Sequence, residues 1–322
     1  MKVPLPSESA APGQHAPSGT PPGVALLGEA LFDSFDGIDV PGGAPLNVAC
    51  HLQALGIRVR LVTRVGSDEA GRTLLAFLKA RGLDLSGVQR DGGHRTGRVT
   101  VRSDGVQNRF EILDPSAWDF LDLGEARRAV SEFRPSLVYF GTLALRRPAS
   151  RDAILSVADD PGPLRFCDLN LRPPWFDGDT VREALTRGDV VKLNGEELVE
   201  TVRLLGLDGS SDAARSLLSH FRIRTLVVTR GERGARRLDR TADGIEEVVV
   251  PGAPPDGGVA DTVGAGDAFA AVVAVGLLEG WDPIASVSRA DELARRIVAV
   301  RGALPTDPSL YRALRAAWRD GG

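Results

Sequence analysis

Short apolar runs alternate with longer segments of helical spacing from Val24 onward. The apolar runs end in glycine or in a polar cluster, as in VALLGE, RLVTRVG, LVYFG, RFCDLN, DVVKLN and TLVVTRG. These runs indicate buried strands, whereas apolar residues at three- and four-residue intervals in PLNVACHLQALG, EAGRTLLAFLKARG and GEELVETVRLLG indicate helices. The alternation predicts an α/β fold in which helices cover both faces of a mainly parallel central sheet.

Two segments interrupt this alternation. Residues 32–43, FDSFDGIDVPGG, are short and rich in turn residues, and residues 95–113, RTGRVTVRSDGVQNRFEIL, read as two strands around Ser103-Asp104-Gly105. Neither segment has a crossover helix of its own. We therefore expect a small sheet that stands off the main one, at about residues 33–43 and 95–118, and that serves as a lid or as the contact of a homodimer.

Composition and charge narrow the class of protein. The chain has 322 residues, enough for one large domain, of which 43% are hydrophobic and 25% are charged. Its apolar runs are too short to cross a bilayer. The net charge is −4 and the charges are interleaved, so the basic stripe of a nucleic-acid binder is missing. We expect a cytoplasmic protein with small-molecule partners and with no nucleic-acid or membrane partner.

The first residues and the two cysteines carry little chemistry. Residues 1–22 are rich in Pro, Ser, Ala and Gly and lack the apolar run of a signal peptide, which predicts a disordered tail before one domain at residues 23–322. Cys50 and Cys167 have neither the spacing of a metal site nor that of a disulfide framework. Both are predicted to be buried thiols.

Polar residues cluster directly after the predicted strands. Ligands of open α/β sheets bind at the carboxyl ends of the strands, so these residues should line a single crevice if the strands are parallel. They are Glu29, Asp33, Asp168, Asn170, Arg172, Lys192, Asn194, Glu197, Thr229, Arg230, Gly231 and residues 261–267. Asp168, Asn170 and Arg172 alternate, so on an extended segment they point to one side. Arg172 then either faces a phosphate or pairs with Asp168.

The segment DTVGAGDAF, residues 261–269, carries the most chemistry. The run AFAAVVAVGLL within and after it is apolar on every face and predicts a buried helix that starts beside Gly264, Ala265 and Gly266. Free N–H groups at such a start bind anions. Asp267 would repel a bound phosphate unless it takes a proton from a hydroxyl group that attacks that phosphate. Spacing alone leaves two interpretations of Asp267, a general base and an ordinary charge at a helix N-terminus.

Other motifs also have two interpretations. Gly42-Gly43 forms either a hinge or an ordinary turn before a helix that starts near Pro45. Asn194 and Glu197 are either site residues or a capping box, which has the same spacing. The chain has no GxxxxGK followed by Ser or Thr, which excludes a P-loop, and GAGDAF lacks the third glycine of a dinucleotide fingerprint.

Taken together, these motifs resemble one family. DTVGAGDAF closely resembles the C-terminal signature of the PfkB, or ribokinase-like, carbohydrate kinases, and PGGAPLNVA, residues 41–49, resembles their N-terminal di-glycine signature. DLNLRPPWF, KLNGEE and VVTRGERGA follow in the family's order, and the resemblance extends from Val24 to about Pro305. It implies a ribokinase-like three-layer α/β/α fold with a mainly parallel central sheet and a small β lid, and an ATP-dependent sugar kinase.

The resemblance implies a role for each matched position. Asp267 corresponds to the catalytic base, and Gly264, Ala265 and Gly266 correspond to the anion hole for the γ-phosphate. Sugar binding and the lid hinge are implied for Asp33, Gly42, Gly43 and Asn47. The magnesium and phosphate network, which acts largely through water, is implied for Asn194 and Glu197, and the nucleotide-side loop for Thr229, Gly231 and Gly234.

Potassium is a further cofactor that the resemblance suggests. Asp261 matches a position that in many members helps to hold a monovalent cation, together with backbone carbonyls near Val263 and residues 301–303. From the strand-end argument we add Asn170 and Arg172 to the substrate side and Lys192 to the ATP and Mg²⁺ side. The four histidines show no ligand or nucleophile spacing, so none receives a catalytic role.

Within the family, LGEALFD, PGGAPLN and DLNLRPPWF look most like the fructokinase branch, so fructose giving fructose 6-phosphate is the first choice. The lid segment ILDPSAWDF lacks the basic or polar residue common in fructokinases, which leaves open ribose, 2-keto-3-deoxygluconate, a nucleoside or a sugar phosphate. A sugar-phosphate kinase needs extra cations, for which Arg98, Arg102 and Arg109 are the candidates. A non-catalytic sugar or nucleotide sensor is the other alternative. Trp118 is expected in the core, or else as a cover for the sugar.

Overall fold

The computed structural model describes residues 21–35, 37–103, 108–208, 212–254, 258–259 and 261–320. These residues form a nine-stranded sheet, a four-stranded sheet and helices on both sides of the larger sheet. The strands are β1 (Gly23–Leu27), β2 (Leu31–Phe35), β3 (Ile38–Gly42), β4 (Arg58–Gly66), β5 (Val88–Asp91), β6 (Gly97–Ser103), β7 (Asn108–Ile112), β8 (Leu137–Gly141), β9 (Leu164–Asp168), β10 (Val190–Asn194), β11 (Thr225–Thr229), β12 (Ala235–Thr241) and β13 (Gly244–Val250). The helices are α1 (Ala44–Ala54), α2 (Glu69–Ala80), α3 (Leu123–Phe133), α4 (Pro148–Ala158), α5 (Gly178–Arg187), α6 (Gly195–Leu205), α7 (Ala213–His220), α8 (Ala265–Glu279), α9 (Pro283–Val298) and α10 (Ser309–Asp320).

Most strands of the larger sheet run parallel, as the sequence predicts. The strand order is β13-β12-β11-β10-β9-β8-β1-β4-β5, and each neighbouring pair from β11 to β5 is parallel. At one edge β12 and β13 pair in antiparallel manner. The order in which the chain adds strands to the sheet changes direction at β1. The next strand of this sheet, β4, lies on one side of β1, whereas β8 lies on the other side. The carboxyl ends of the central strands therefore open onto a crevice at this switch point.

Two apolar clusters confirm the three layers. One cluster joins the sheet to the face that carries α3 to α7, with Ala126, Ile154, Val181, Leu198 and Leu217 as examples. The other joins it to α1, α2, α8, α9 and α10, with Leu46, Leu74, Val272, Leu293 and Tyr311 as examples. Helix α8 is buried from Ala268 to Gly276, so the prediction from its uniformly apolar sequence is confirmed.

The predicted small sheet is also present, in the order β3-β2-β6-β7. β2 and β3 form a hairpin, β6 and β7 form another, and β2 pairs with β6 in parallel. Asp104 and Gly105, the expected turn of the second hairpin, lie outside the described residues. The outer strand β3 leaves Ile38 and Val40 exposed. The role of this sheet as a lid or a homodimer contact stays a prediction.

A buried cation anchors the base of the small sheet. The Arg146 guanidinium lies between the rings of Trp118 and Trp175, 4.2 and 4.4 Å from their centroids. It also donates from Nε and Nη2 to the two carboxylate oxygens of Asp119, over 2.7 Å each. Trp118 is fully buried, so the core interpretation is right and the side chain does not cover a sugar. The stack joins the segment after β7 to the loop after β9.

Candidate active site

A cleft of about 870 Å³ opens at the carboxyl ends of the parallel strands, under the small sheet. Its lining includes most of the residues expected there from the sequence. The lining residues to which the sequence assigned a role are Asp33, Gly43, Asn47, Asn170, Arg172, Lys192, Asn194, Glu197, Thr229, Gly264, Gly266 and Asp267. The other lining residues are Glu29, Leu31, Ala44, Val99, Ile112, Leu143, Asp168, Leu171, Pro173, Glu196, Thr262 and Val263. The strand-end argument thus placed residues from distant parts of the chain in one cleft.

Asp267 lies in the first turn of α8 and is held from a second helix. Asn47, in the first turn of α1, donates from Nδ2 to Asp267 Oδ2 over 2.8 Å. Burial raises the pKa of Asp267 to about 6, the Asn47 hydrogen bond lowers it, and nearby Asp168 raises it. The carboxylate is therefore ionised at neutral pH, yet basic enough to accept a proton from a hydroxyl group.

The start of α8 is shaped to admit an anion. Gly264 is the N-cap with a φ of 80°, and no described side chain caps the helix there, so its first N–H groups have no side-chain acceptor where Gly264 and Gly266 line the cleft. A Cβ on Gly264 would lie 2.5 Å from the Cα of Ala303. The position thus requires glycine both for its left-handed backbone and for its close approach to Ala303.

A buried ion pair lies beside this helix start. Lys192 Nζ donates to both carboxylate oxygens of Asp168, over 3.0 and 2.9 Å, and the Tyr139 hydroxyl donates to the same carboxylate. Burial lowers the pKa of Lys192, but Asp168, Glu197 and Asp267 outweigh it, so the net shift is upward and the ammonium stays charged. A Cβ on Gly266 would be 3.5 Å from this ammonium, which places a positive charge at the anion site.

The expected geometry of Asp168, Asn170 and Arg172 is wrong. β9 ends at Asp168 and Asn170 adopts a φ of 42°, so the three residues do not continue an extended strand. Asp168 pairs with Lys192 instead of Arg172. Arg172 is exposed, lines the cleft and lowers the pKa values of Glu29, Asp33 and Asp267 by its charge.

The capping-box interpretation of Asn194 and Glu197 is confirmed. Asn194 Oδ1 accepts from the Glu197 N–H over 2.9 Å, and Glu197 Oε2 accepts from the Asn194 N–H over 2.8 Å. Glu197 Oε1 accepts from the Leu171 N–H over 2.8 Å. Glu197 therefore joins the start of α6 to the loop that carries Asn170 and Arg172. Its part in a magnesium network stays a prediction, as does that of Asn194.

The di-glycine segment lets the backbone approach the Asp33 carboxylate and the backbone of Glu29. A Cβ on Gly42 would collide with the Asp33 carboxylate, and a Cβ on Gly43, where φ is 102°, would lie 2.7 Å from the Glu29 carbonyl oxygen. Pro45 lies in the first turn of α1, so the turn interpretation also holds. Burial, opposed by the charge of Arg172 and assisted by that of Asp261, raises the pKa of Asp33 to about 6. The hinge role of Gly42 and Gly43 is untested.

Asp261 brings together the two backbone segments expected around a cation. Its Oδ1 accepts from the Val263 N–H over 3.0 Å and its Oδ2 accepts from the Gly302 N–H over 3.1 Å. A carboxylate is an oxygen ligand of the kind that hard cations prefer, although both Asp261 oxygens already accept from backbone N–H groups. Within the described ranges no group of three or more His, Cys, Asp or Glu residues is placed to hold a metal ion. The potassium assignment stays a prediction.

The nucleotide-side loop is placed only in part. Thr229 ends β11 and lines the cleft. Gly231 begins a short 3₁₀ turn, and Gly234 has a φ of 79° with the Pro251 carbonyl carbon 2.6 Å from where its Cβ would lie. The close approach of residue 251 explains the glycine at 234. Contact of Gly231 and Gly234 with a nucleotide stays a prediction.

Two features of the site went unassigned from sequence. Glu29 and Asp168 followed predicted strands but received no role. The apolar wall, formed by Leu31, Val99, Ile112 and Leu143, was missed because the orientation of the small sheet has no sequence signal. Of the candidate extra cations, Arg98 pairs with Asp39 and Ser34, and the side chains of Arg102 and Arg109 lie outside the described part of the structure.

Comparison with known proteins shows which sequences this chain is similar to. A family model described as pfkB family carbohydrate kinase matches residues 37–310. A probable fructokinase-4 from Arabidopsis thaliana is 31% identical over 306 residues, which cover 88% of this chain and 89% of that protein. Among the described residues, no helix combines the length and the apolar character needed to cross a membrane.

Solved structures share the fold over nearly the whole chain. An uncharacterized sugar kinase from Pyrococcus horikoshii, in complex with ATP, is 27% identical with a TM-score of 0.73, covering 87% of this chain and 93% of that one. A fructokinase double mutant from Vibrio cholerae O395, in its fructose-, ADP- and potassium-bound form, is 28% identical with a TM-score of 0.72, covering 91% and 98%. These likenesses confirm the predicted ribokinase-like fold.

Proposed function

Since this chain belongs to the pfkB family of carbohydrate kinases, we propose that it transfers the γ-phosphoryl group of ATP to the primary 6-hydroxyl group of fructose. The observation that carries the proposal is the Asn47–Asp267 hydrogen bond at the uncapped start of α8, which sets a basic carboxylate beside an anion site. A phosphate and its attacking hydroxyl group need these two features side by side.

The cleft supplies a part for each reactant. Asp33, Asn47 and the apolar wall bind the sugar, and Asp267 takes the proton from its primary hydroxyl group as the oxygen attacks phosphorus. The N–H groups at the start of α8 and the Lys192 ammonium stabilise the charge on the transferred group. Positioning and charge neutralisation provide most of the rate enhancement in phosphoryl transfer. We assign no further covalent chemistry to the chain.

Two carboxylates, those of Glu197 and Asp261, are the candidate positions for metal ions. Mg²⁺, when bound together with ATP, would neutralise part of the negative charge of the phosphate groups. Asn194 and Glu197 would hold it through water, since both Glu197 oxygens already accept from backbone N–H groups. Asp261 would hold K⁺ where residues 261–263 meet Gly302.

The acid limb of the pH dependence of kcat/KM should reflect the protonation of Asp267. The base acts only when it is deprotonated, and burial raises its pKa to about 6, so kcat/KM should fall about tenfold for each pH unit below about pH 6. Above that pH the group is ionised and its effect on the profile should level off. Initial rates at limiting fructose measure this, and a flat profile down to about pH 4, near the usual pKa of Asp, would contradict it.

Replacing Asn194 with alanine separates its role as a cap from a role in nucleotide binding. The free energy of unfolding should fall by about 1 kcal/mol, because the Glu197 N–H loses its acceptor. The KM for MgATP should also rise roughly threefold to tenfold through the lost polar contact. Asp122→Ala is the control, since Asp122 caps α3 in the same way, through the Glu125 N–H. Equal stability losses with an unchanged KM for MgATP would reduce Asn194 to a cap.

The acceptor is tested by a coupled ADP-release assay. Fructose, ribose, 2-keto-3-deoxygluconate, a nucleoside and fructose 1-phosphate are compared, each with and without K⁺. We expect the highest kcat/KM with fructose and an increase on adding K⁺. Preference for another acceptor would correct the sugar, whereas activity with none of them would favour a sensor.

A further inference from the structure

Glu29 is an acidic side chain of the cleft that the mechanism above does not use. It follows β1, and its residue is only 3% exposed although it lines the cleft. Its Oε2 is buried and has no hydrogen-bond partner among the described residues. A buried acceptor left unpaired destabilises the protein by about 1–3 kcal/mol, so such a group usually has a partner such as a water molecule, an ion or a ligand.

Glu29 also meets the start of α1. The N-cap of that helix is Gly43, which has no side chain to cap it, and the Ala44 peptide lies near enough to the Glu29 carboxyl to lower its pKa. A Cβ on Gly43 would lie 3.2 Å from Glu29 Cγ, so the glycine makes room for this approach. Glu29, in the segment after β1, thus lies against the start of the helix whose first turn carries Asn47.

A second unpaired acceptor lies in the same turn. Asn47 donates from Nδ2 to Asp267, but its buried Oδ1 has no partner within the described ranges. Glu29 Oε2 and Asn47 Oδ1 therefore both lack a donor in a cleft that Asp267 also lines. Hydroxyl groups of a sugar are donors of the kind that would satisfy both oxygens.

We propose that Glu29 belongs to the acceptor site, where it positions Asn47 through the first turn of α1 and accepts a hydrogen bond from a sugar hydroxyl group with its unpaired carboxyl oxygen. The inference rests on the proposed function, because it takes the acceptor to be a sugar. It adds to the acceptor site a carboxyl group to which no sequence motif gave a role.

Charge gives this assignment a distinctive signature. Burial raises the pKa of Glu29 to about 7, and its own backbone hydrogen bond lowers it. The charged and titratable groups that face it are Asp267 from α8, Arg172 from the loop after β9 and Tyr139 from β8. Asp267 raises the pKa of Glu29, and the interaction is mutual. Glu29 should therefore titrate near pH 7, above Asp267, so the KM for fructose should fall between about pH 6 and pH 8 in the wild type and lose this change when the Glu29 charge is removed.

Glu29→Gln tests the inference, because it keeps the shape and removes the charge. At about pH 8 the KM for fructose should rise about tenfold, the KM for ATP should stay within about twofold, and the fall in the fructose KM between about pH 6 and pH 8 should be lost. Glu292→Gln is the control. Glu292, on α9, accepts a hydrogen bond from Trp318 Nε1 of α10, and the kinetics of this variant should match those of the wild type. An unchanged fructose KM, or an equal rise in both KM values, would overturn the role of Glu29.

A second variant covers the case in which Glu29→Gln does not fold. Glu29→Asp keeps the titratable charge but draws the carboxyl back by one methylene, so the fructose KM should still rise while its fall with increasing pH remains. A wild-type fructose KM in Glu29→Asp would overturn the inference. Wild-type enzyme that phosphorylates no sugar would instead overturn the proposed function, so the two failures are distinguishable.

Discussion

Replacing Asp267 with asparagine should lower kcat about 10²- to 10⁴-fold, the range lost when a general base is removed. Asparagine keeps the size of the side chain and an oxygen that accepts from Asn47 Nδ2, so α1 and α8 stay joined. The KM values for fructose and ATP should change little, because the lost interaction is made in the transition state. Steady-state kinetics measure the effect, and circular dichroism checks the fold.

The control separates catalysis from a helix N-terminal charge. Asp282 is the N-cap of α9, where its carboxylate accepts from the N–H groups of Ile284 and Ala285. Asp282→Asn removes the same charge from the start of the next helix, and we expect its kcat to equal that of the wild type. An Asp267→Asn enzyme with a kcat near the wild-type value would make Asp267 an ordinary helix charge.

Gly264→Ala should lower kcat roughly 10²- to 10³-fold, the loss seen when one donor to a developing negative charge is removed. The new Cβ would lie 2.5 Å from the Ala303 Cα, and the backbone φ of 80° disfavours any residue with a Cβ. The start of α8 must shift to relieve the clash, which moves its N–H groups away from the phosphate. The free energy of unfolding should also fall, by about 1–3 kcal/mol.

Gly280 offers a matched control at the other end of the same helix. It has a φ of 70° and no described atom within 4 Å of an added Cβ. Gly280→Ala therefore carries the left-handed backbone strain without the clash, and should lose about 1 kcal/mol of stability at unchanged kcat. If both variants lost the same stability and kept the same kcat, the close contact with Ala303 would have no part in shaping the anion site.

Sequence periodicity and strand-end chemistry predicted much of this architecture. The run after Gly264 is apolar on every face, which fits only a helix buried on every side, and α8 is such a helix. Polar residues after parallel strands had to meet at one edge of the sheet, and Asn194, Thr229 and Asp267 do line one cleft. These conclusions needed only residue order and the regular geometry of strands and helices.

Contacts that depend on tertiary placement had no such signal. Asp168 pairs with Lys192 from a neighbouring strand, because β9 and β10 are adjacent in register, and not with Arg172, which is closer in sequence. The Glu29 side chain lies against the start of α1 although fifteen positions separate Glu29 from Ala44. The positive φ of Asn170 bends a segment that reads as extended. Each outcome depends on packing that a single sequence does not encode locally.

Product analysis tests the central claim most directly. Wild-type protein is incubated with MgATP and fructose, and the product is identified by ³¹P and ¹³C NMR alongside the ADP released. The account predicts fructose 6-phosphate and ADP in equal amounts, with neither formed at a comparable rate by Asp267→Asn. ADP released without sugar phosphate, or equal rates from the wild type and Asp267→Asn, would contradict it.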